Sequence, residues 1–173
     1  MDPFATLGLT PRFDVDAAEI ERRYRELQRR FHPDRHVSAP SKERRESLLK
    51  AMEINEAYRT VSDEVARAEA LLLHVGLASA DSKAADQEFL MEVMELREGL
   101  ADAKEAQDFE RVQMMAADVK SKMQAVRDAL RDAFDPASDK KNERASLAML
   151  VSKLKYYHRF LDEANSIEDA LHS

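Results

Sequence analysis

Apolar residues near the N-terminus recur at the spacing of an amphipathic helix. Four of them lie at i, i+4, i+7 and i+11, namely Ile20, Tyr24, Leu27 and Phe31. Residues at this spacing share one stripe of a helix, which predicts a helix from Ala18 to Phe31 with that stripe facing a core. Pro33 should end the helix, because proline lacks an amide hydrogen and disfavours α geometry in the residue before it.

Three further signals organise the N-terminal half. Asp2-Pro3 is typical of the start of a short helix that Gly8 closes, and Asp16 with Glu19 resembles a capping box before the longer helix. After a polar loop, residues 37–42, a second long helix is predicted from one shared face: Leu48, Ala51, Ile54, Asn55, Tyr58 and Val61. Two such helices can bury their stripes against each other as an antiparallel hairpin.

The C-terminal half is predicted to form a three-helix bundle. A helix over residues 63–74, with Val65, Ala68, Leu72 and Val75 on one face, leads into a polar loop at 78–86. Apolar spacings of three and four then predict helices over about 87–105, 107–134 and 139–171. We therefore expect an N-terminal domain of residues 1–75 and a bundle of residues 76–173.

Composition agrees with an all-α fold and narrows the function classes. The chain has 3 Gly, 5 Pro and 35% charged residues, and no segment alternates in the manner of a strand. No stretch approaches the roughly 18 apolar residues of a membrane span, and no signal segment precedes the first helix, so we expect a cytoplasmic protein without membrane contact. With no cysteine, the chain has no disulfide and no thiolate for a metal or cluster.

Charge is unevenly distributed. The net charge of −7 disfavours nucleic-acid binding, yet the segment from Arg22 to Arg30 carries five arginines against one glutamate, a net charge of +4. Helical spacing directs Arg22, Arg25 and Arg29 away from the apolar stripe, with Arg23 and Arg30 on one flank, so we expect an almost wholly cationic outer face. Such a face suits an acidic protein partner; the alternative is an ordinary solvated helix surface.

The tripeptide His32-Pro33-Asp34 follows directly after this arginine-rich helix. Taken alone it is an ordinary interhelical turn, since Pro and Asp are common in turns.

His32 and His36 have the i, i+4 spacing of a metal site, but a proline loop separates them and no third ligand is evident, so we expect no metal. No nucleophile triad, phosphate loop or paired catalytic carboxylate is evident either. We therefore predict neither an enzyme nor a cofactor site.

The first bundle helix has more apolar residues than its core needs. Its core stripe is predicted as Phe89, Val93, Leu96 and Leu100. Leu90, Met91 and Met94 lie off this arc among Glu95, Arg97 and Glu98, which predicts exposed apolar anchors in a charged frame. Tyr156 and Phe160, spaced i, i+4 on the last helix, are expected to extend this patch. The alternatives are that the three anchors pack against the preceding helix or the hairpin, and that both aromatics are buried.

Together these motifs resemble a known family. The residues Asp2-Pro3-Phe4-Ala5-Thr6-Leu7-Gly8-Leu9, the arginine helix, His32-Pro33-Asp34 and Ile54-Asn55-Glu56-Ala57-Tyr58 are similar to the J-domain of Hsp70 co-chaperones. The run from Phe89 to Glu98 and the region from Tyr156 to Leu161 narrow the resemblance to the HscB type, which acts in iron-sulfur cluster assembly.

The resemblance implies a two-ended adaptor. The arginine face and His32-Pro33-Asp34 would bind a specialised Hsp70-type chaperone (HscA-like) and stimulate its ATPase. The bundle would bind the iron-sulfur scaffold protein (IscU-like) at positions matching the family surface: Leu90, Met91, Met94, Glu95, Arg97, Glu98 and Tyr156. Phe160 is assigned to the same scaffold-binding surface from its spacing with Tyr156. A J-domain protein serving another client, or a purely structural helical adaptor, is the alternative.

Overall fold

The computed structural model describes residues 1–31, 41–77, 87–136 and 144–171, and the regular structure in these ranges is entirely helical. The all-α prediction is confirmed. Seven helices follow one another: α1 (Pro3–Leu7), α2 (Ala17–Phe31), α3 (Ser41–Ser62), α4 (Glu64–His74), α5 (Gln87–Glu105), α6 (Phe109–Ala133) and α7 (Arg144–Leu171). Contacts divide the chain into two compact units, Met1–Gly76 with Phe134–Ser138, and Leu77–Ala133 with Asp139–Ser173.

The predicted caps of α1 are confirmed. The Asp2 carboxylate accepts hydrogen bonds from the amides of Phe4 and Ala5, at 2.9 and 3.2 Å. Gly8 adopts φ 66°, a left-handed conformation that glycine reaches without Cβ strain, and ends the helix. Phe4 and Leu7 are then fully buried, which anchors this short helix in the N-terminal core.

Helices α2 and α3 pair through a seam of aromatic and polar side chains. The rings of Tyr24 and Tyr58 stack with centroids 4.1 Å apart. Asn55 Oδ1 accepts hydrogen bonds from the Tyr24 hydroxyl, at 3.0 Å, and from the Gln28 amide. Because several directional bonds must be made together, the seam fixes one alignment of the two helices.

The predicted α3 face was wrong at one position. Leu48 is 51% exposed, whereas its neighbour Ser47 is buried and donates its hydroxyl to the Phe31 carbonyl oxygen at 3.0 Å. The buried stripe of α3 therefore runs through Ser47, Ala51, Ile54, Ala57 and Val61. Successive residues of a helix are about 100° apart around its axis. Leu48 therefore lies about 100° from buried Ser47 and falls outside the buried stripe.

Helix α4 is capped by Asp63, whose Oδ1 accepts from the Ala66 amide at 2.7 Å. Its buried face includes Ala68, Leu71 and Leu72, but Val75 is 39% exposed because the helix ends at His74. The prediction that Val75 belongs to this face was therefore wrong.

The C-terminal unit buries one stripe from each of α5, α6 and α7. Helix α6 contributes the predicted positions Val112, Ala116, Val119, Met123, Val126 and Leu130. Helix α7 buries Leu154 and Tyr157 as predicted, and also Val151 and Phe160. Phe160 is only 3% exposed, so its expected place in a surface patch was wrong. The apolar stripe that residue spacing predicts for α7 is narrower than the face that this helix buries, because α7 contacts both α6 and α5.

No helix within the described ranges combines the length and apolarity of a membrane span.

Truncating Phe160 should destabilise the protein far more than truncating an apolar residue that is half exposed. Phe160→Ala leaves a cavity in the bundle core and should cost about 3–5 kcal/mol. The matched control, Leu90→Ala, removes a side chain that is 52% exposed and should cost about 0.5 kcal/mol or less. Urea denaturation of the full chain, followed by circular dichroism, measures both; equal midpoints for the two variants would contradict the burial of Phe160.

Candidate functional site

The His32-Pro33-Asp34 motif lies outside the described residues, so its predicted role stays a prediction. The described chain nevertheless defines both flanks, since α2 ends at Phe31 and α3 begins at Ser41. The hydrogen bond from Ser47 to the Phe31 carbonyl holds the end of α2 against the second turn of α3. Phe31, the residue before the motif, is therefore tied to α3.

The predicted arginine face is exposed on α2. Arg22, Arg25, Arg29 and Arg30 all lie at the surface. Arg23 is half-buried, and its Nε is buried with no hydrogen-bond partner among the described groups. Four of the five predicted arginines are thus accessible to a partner.

The expectation of an almost wholly cationic face was wrong. Arg22 lies 3.3 Å from Glu26 and 3.8 Å from Glu19, and Arg25 Nε donates to Glu21 at 2.6 Å. These partners lie three or four residues along the same helix, where opposite charges meet. Exposed pairs of this kind contribute little stability, so a partner carboxylate can replace any of these three glutamates at small cost.

Glu21 was not recognised from the sequence as part of this site. Its carboxylate accepts the Tyr58 hydroxyl at 2.9 Å, and this bond, followed by the one from Arg25, lowers the pKa of Glu21 below its ordinary value. The same bond raises the pKa of Tyr58. The i, i+4 spacing of Glu21 and Arg25 is the sequence signal by which this ion pair could have been predicted.

The second predicted surface lies on α5. Leu90, Met91 and Met94 are 52%, 56% and 56% exposed, as expected. The charged residues Glu95, Arg97 and Glu98 are exposed around them. The structure therefore brings together six of the eight residues predicted for this surface.

Tyr156 lies beside this patch in a half-buried position. Its hydroxyl donates to the Val93 carbonyl oxygen of α5 at 3.1 Å, and its ring meets that of Phe89 edge-on at 5.9 Å. Burial raises the pKa of Tyr156. Phe160, by contrast, is in the bundle core and takes no part in the surface.

An open groove of about 610 Å³ runs along the same side of α5. Met91 and Glu95 line it from α5, Lys122 from α6, and Lys153 from α7. One carboxylate joins the three helices here, since Glu92 Oε1 accepts from Lys122 at 2.9 Å and from the Tyr157 hydroxyl at 3.0 Å. Sequence reasoning missed Glu92, because its partners lie 30 and 65 residues away.

The pKa shifts in this cluster have two causes. Burial is the larger cause that raises the pKa of Tyr157, and its bond to Glu92 adds to it. The hydrogen bond to Glu92 also raises the pKa of Lys122, which keeps that amine charged. No group of three metal-ligating side chains occurs in the part of the chain that the structure describes.

Comparison with known families covers most of the chain. A model of the DnaJ domain matches residues 2–70, and a model of the HSCB C-terminal oligomerisation domain matches residues 85–165. The first match spans α1 to α3 and part of α4, and the second spans α5, α6 and most of α7.

Individual relatives match over nearly their whole length. The Co-chaperone protein HscB homolog of Aeromonas hydrophila is 35% identical over 178 residues, covering 99% of this chain and 98% of the relative. That of Shewanella halifaxensis is 32% identical over 175 residues, covering 99% of each chain. The solved chaperone HscB of Vibrio cholerae superimposes with a TM-score of 0.79 at 30% identity, covering 99% of each chain. The chain therefore belongs to the HscB family of J-domain co-chaperones.

Proposed function

We propose that this co-chaperone delivers an iron-sulfur scaffold protein (IscU-like) to a specialised Hsp70-type chaperone (HscA-like) and stimulates that chaperone's ATPase. Residues 1–75 would bind the Hsp70 and residues 76–173 the scaffold. The observation that carries the proposal is the exposure of Leu90, Met91 and Met94, at 52%, 56% and 56%, within the family-matched bundle. Apolar side chains grouped on a surface are typical of a protein-binding site.

At the Hsp70 end, the arginines would guide and bind an acidic surface. Arginine pairs well with carboxylates through its planar set of donors, and charge complementarity raises the rate of encounter. Pro33 would stiffen the loop, while His32 and Asp34 supply directed hydrogen bonds that act on the partner. ATP hydrolysis takes place in the Hsp70, so this chain needs no catalytic residue.

At the scaffold end, Leu90, Met91 and Met94 would supply apolar contact area. Unbranched methionine side chains adapt their shape to a partner, and Glu95, Arg97 and Glu98 would set its orientation. The chain has no cysteine, so it would supply no thiolate ligand to a cluster on the scaffold. We propose that the protein acts in the bacterial cytoplasm without a cofactor, nucleic acid or membrane.

Changing the loop motif should abolish ATPase stimulation. His32→Gln and Asp34→Asn should each leave the fold and scaffold binding intact while stimulation in a single-turnover assay falls to the basal rate. His36→Gln, a matched change in the same segment, should stimulate like the wild type. Normal stimulation by either motif variant would refute the role of the loop.

Reversing three charges on α2 should weaken Hsp70 docking. In the triple variant Arg22→Glu with Arg25→Glu and Arg29→Glu, the partner's carboxylates would meet like charges and be repelled. Docking of the wild type should also weaken with added salt, since exposed charges are screened over about 10 Å at about 0.1 M. The matched control reverses three charges on the bundle: Lys104, Arg111 and Lys120. Titration by fluorescence anisotropy measures both; salt-independent wild-type affinity is the contradicting result.

Removing the apolar anchors should abolish scaffold binding without unfolding the protein. Leu90→Ala with Met91→Ala and Met94→Ala should keep its melting temperature and its stimulation of the Hsp70, because substitutions of exposed residues typically cost about 0.5 kcal/mol or less each. Met114→Ala, at a residue that is 66% exposed on α6, is the control. Undiminished scaffold binding by the triple variant would refute the assignment, and recovery of a different client in pull-downs would favour the alternative function.

A further inference from the structure

The half of α5 that carries the apolar anchors has little core of its own. Every side chain from Gln87 to Glu95 keeps part of its surface exposed, whereas Leu96, Leu100 and Ala103, further along the helix, are buried. Helices in proteins are stabilised mainly by packing of a buried apolar face. The anchor half, residues 87–95, therefore depends on individual polar and ring contacts to stay in place on the bundle.

Glu92 makes two of these contacts from the middle of the anchor half. Its Oε1 accepts hydrogen bonds from Lys122 Nζ of α6, at 2.9 Å, and from the Tyr157 hydroxyl of α7, at 3.0 Å. Lys122 Nζ also lies 3.1 Å from a carboxylate oxygen of Asp118, which directs the amine. The Glu92 side chain is only 22% exposed, so water and salt screen these charged bonds less than the surface pairs of α2.

Glu92 lies on the side of α5 that faces away from two of the anchors. It is two residues from both Leu90 and Met94, which places it about 160° around the helix axis from each of them. Its two partners belong to α6 and α7, so the bonds hold that side of the helix against the bundle. The side chain that holds the anchor half is thus distinct from the side chains that point outward.

Tyr157 is the internal member of this cluster. It is 3% exposed, and its ring meets the Phe89 ring edge-on at 6.2 Å. A protein docked on the anchors would therefore have almost no surface of Tyr157 to contact. An effect of the Tyr157 hydroxyl on binding would have to pass through Glu92 and the position of α5.

We propose that Glu92 is a positioning residue of the scaffold-binding surface. Through Lys122 and Tyr157 it keeps residues 87–95 docked on the bundle, so that the anchors are held in the arrangement that the scaffold binds. This inference rests on the proposed function and adds to it a residue that acts without touching the scaffold. If the anchor half is docked for only part of the time, the apparent dissociation constant rises by the inverse of the docked fraction.

The test removes one hydroxyl that the scaffold cannot contact. In Tyr157→Phe, amide hydrogen exchange over residues 92–96 should become about tenfold faster, because loss of a bond to a charged group favours local opening. The affinity for a purified IscU-like scaffold protein, measured by calorimetric titration, should fall about threefold or more. The anchors themselves are unchanged in this variant.

A matched control separates positioning from a general loss of stability. Ile167→Val shortens a buried side chain ten residues from Tyr157, about 15 Å along α7, and should also lower the melting temperature of the protein. Exchange over residues 92–96 and scaffold affinity should nevertheless stay at wild-type values. If Ile167→Val reproduces both effects of Tyr157→Phe, the Tyr157 bond has only a structural role and the inference fails.

Two substitutions at Glu92 provide the second arm. Glu92→Ala removes the acceptor, so exchange should accelerate and affinity should fall by more than in Tyr157→Phe. Glu92→Gln keeps an acceptor oxygen and should give values between those of the wild type and Glu92→Ala. If Glu92→Ala loses affinity while exchange over residues 92–96 is unchanged, Glu92 contacts the scaffold directly and the positioning role is refuted.

The remaining outcomes distinguish this inference from the proposed function. Wild-type affinity of both Tyr157→Phe and Glu92→Ala refutes the positioning role whatever their exchange rates, and the proposed function stands. If the wild-type protein binds no scaffold, both the proposed function and the positioning role fail.

Discussion

Both units depend on fixing the rotation of each helix about its own axis, because rotation decides which residues face the core and which face a partner. An apolar stripe alone fixes this rotation loosely, since neighbouring apolar residues can substitute for one another in a core. Directional bonds fix it more narrowly. In α2 the bond from Tyr24 to Asn55 holds the apolar stripe inward, so that Arg25 and Arg29 lie outward.

In the bundle, two contacts fix the rotation of α5 about its own axis. Glu92 accepts bonds from Lys122 of α6 and Tyr157 of α7, and Tyr156 bonds to the Val93 carbonyl. Both contacts lie within the stretch that contains Met91 and Met94. The apolar anchors are therefore displayed on a helix segment that is held from two sides, which reduces the ordering cost of binding.

The fold and much of the candidate site followed from local rules. Helix spacing separated exposed Leu90 from buried Leu96, and the caps at Asp2 and Gly8 needed only their immediate neighbours. The failures arose where more than one neighbour matters. Phe160 is buried because α7 packs against two helices, and counting charge from Arg22 to Arg30 omitted glutamates just outside that segment. The partners of Glu92 depend on tertiary structure, which periodicity does not report.

The hydrogen bonds that Asn55 accepts also fix the position of α2 along α3. A slip of α2 along α3 by one turn moves its residues by about 5.4 Å. It also removes the acceptor of the Tyr24 hydroxyl and the Gln28 amide together. A smaller slip aligns neither donor with an acceptor, so the two helices have a single hydrogen-bonded register. A partner that contacts both helices would consequently meet them at one relative position, and a substitution at Asn55 would release that position although no residue in contact with the partner has been changed.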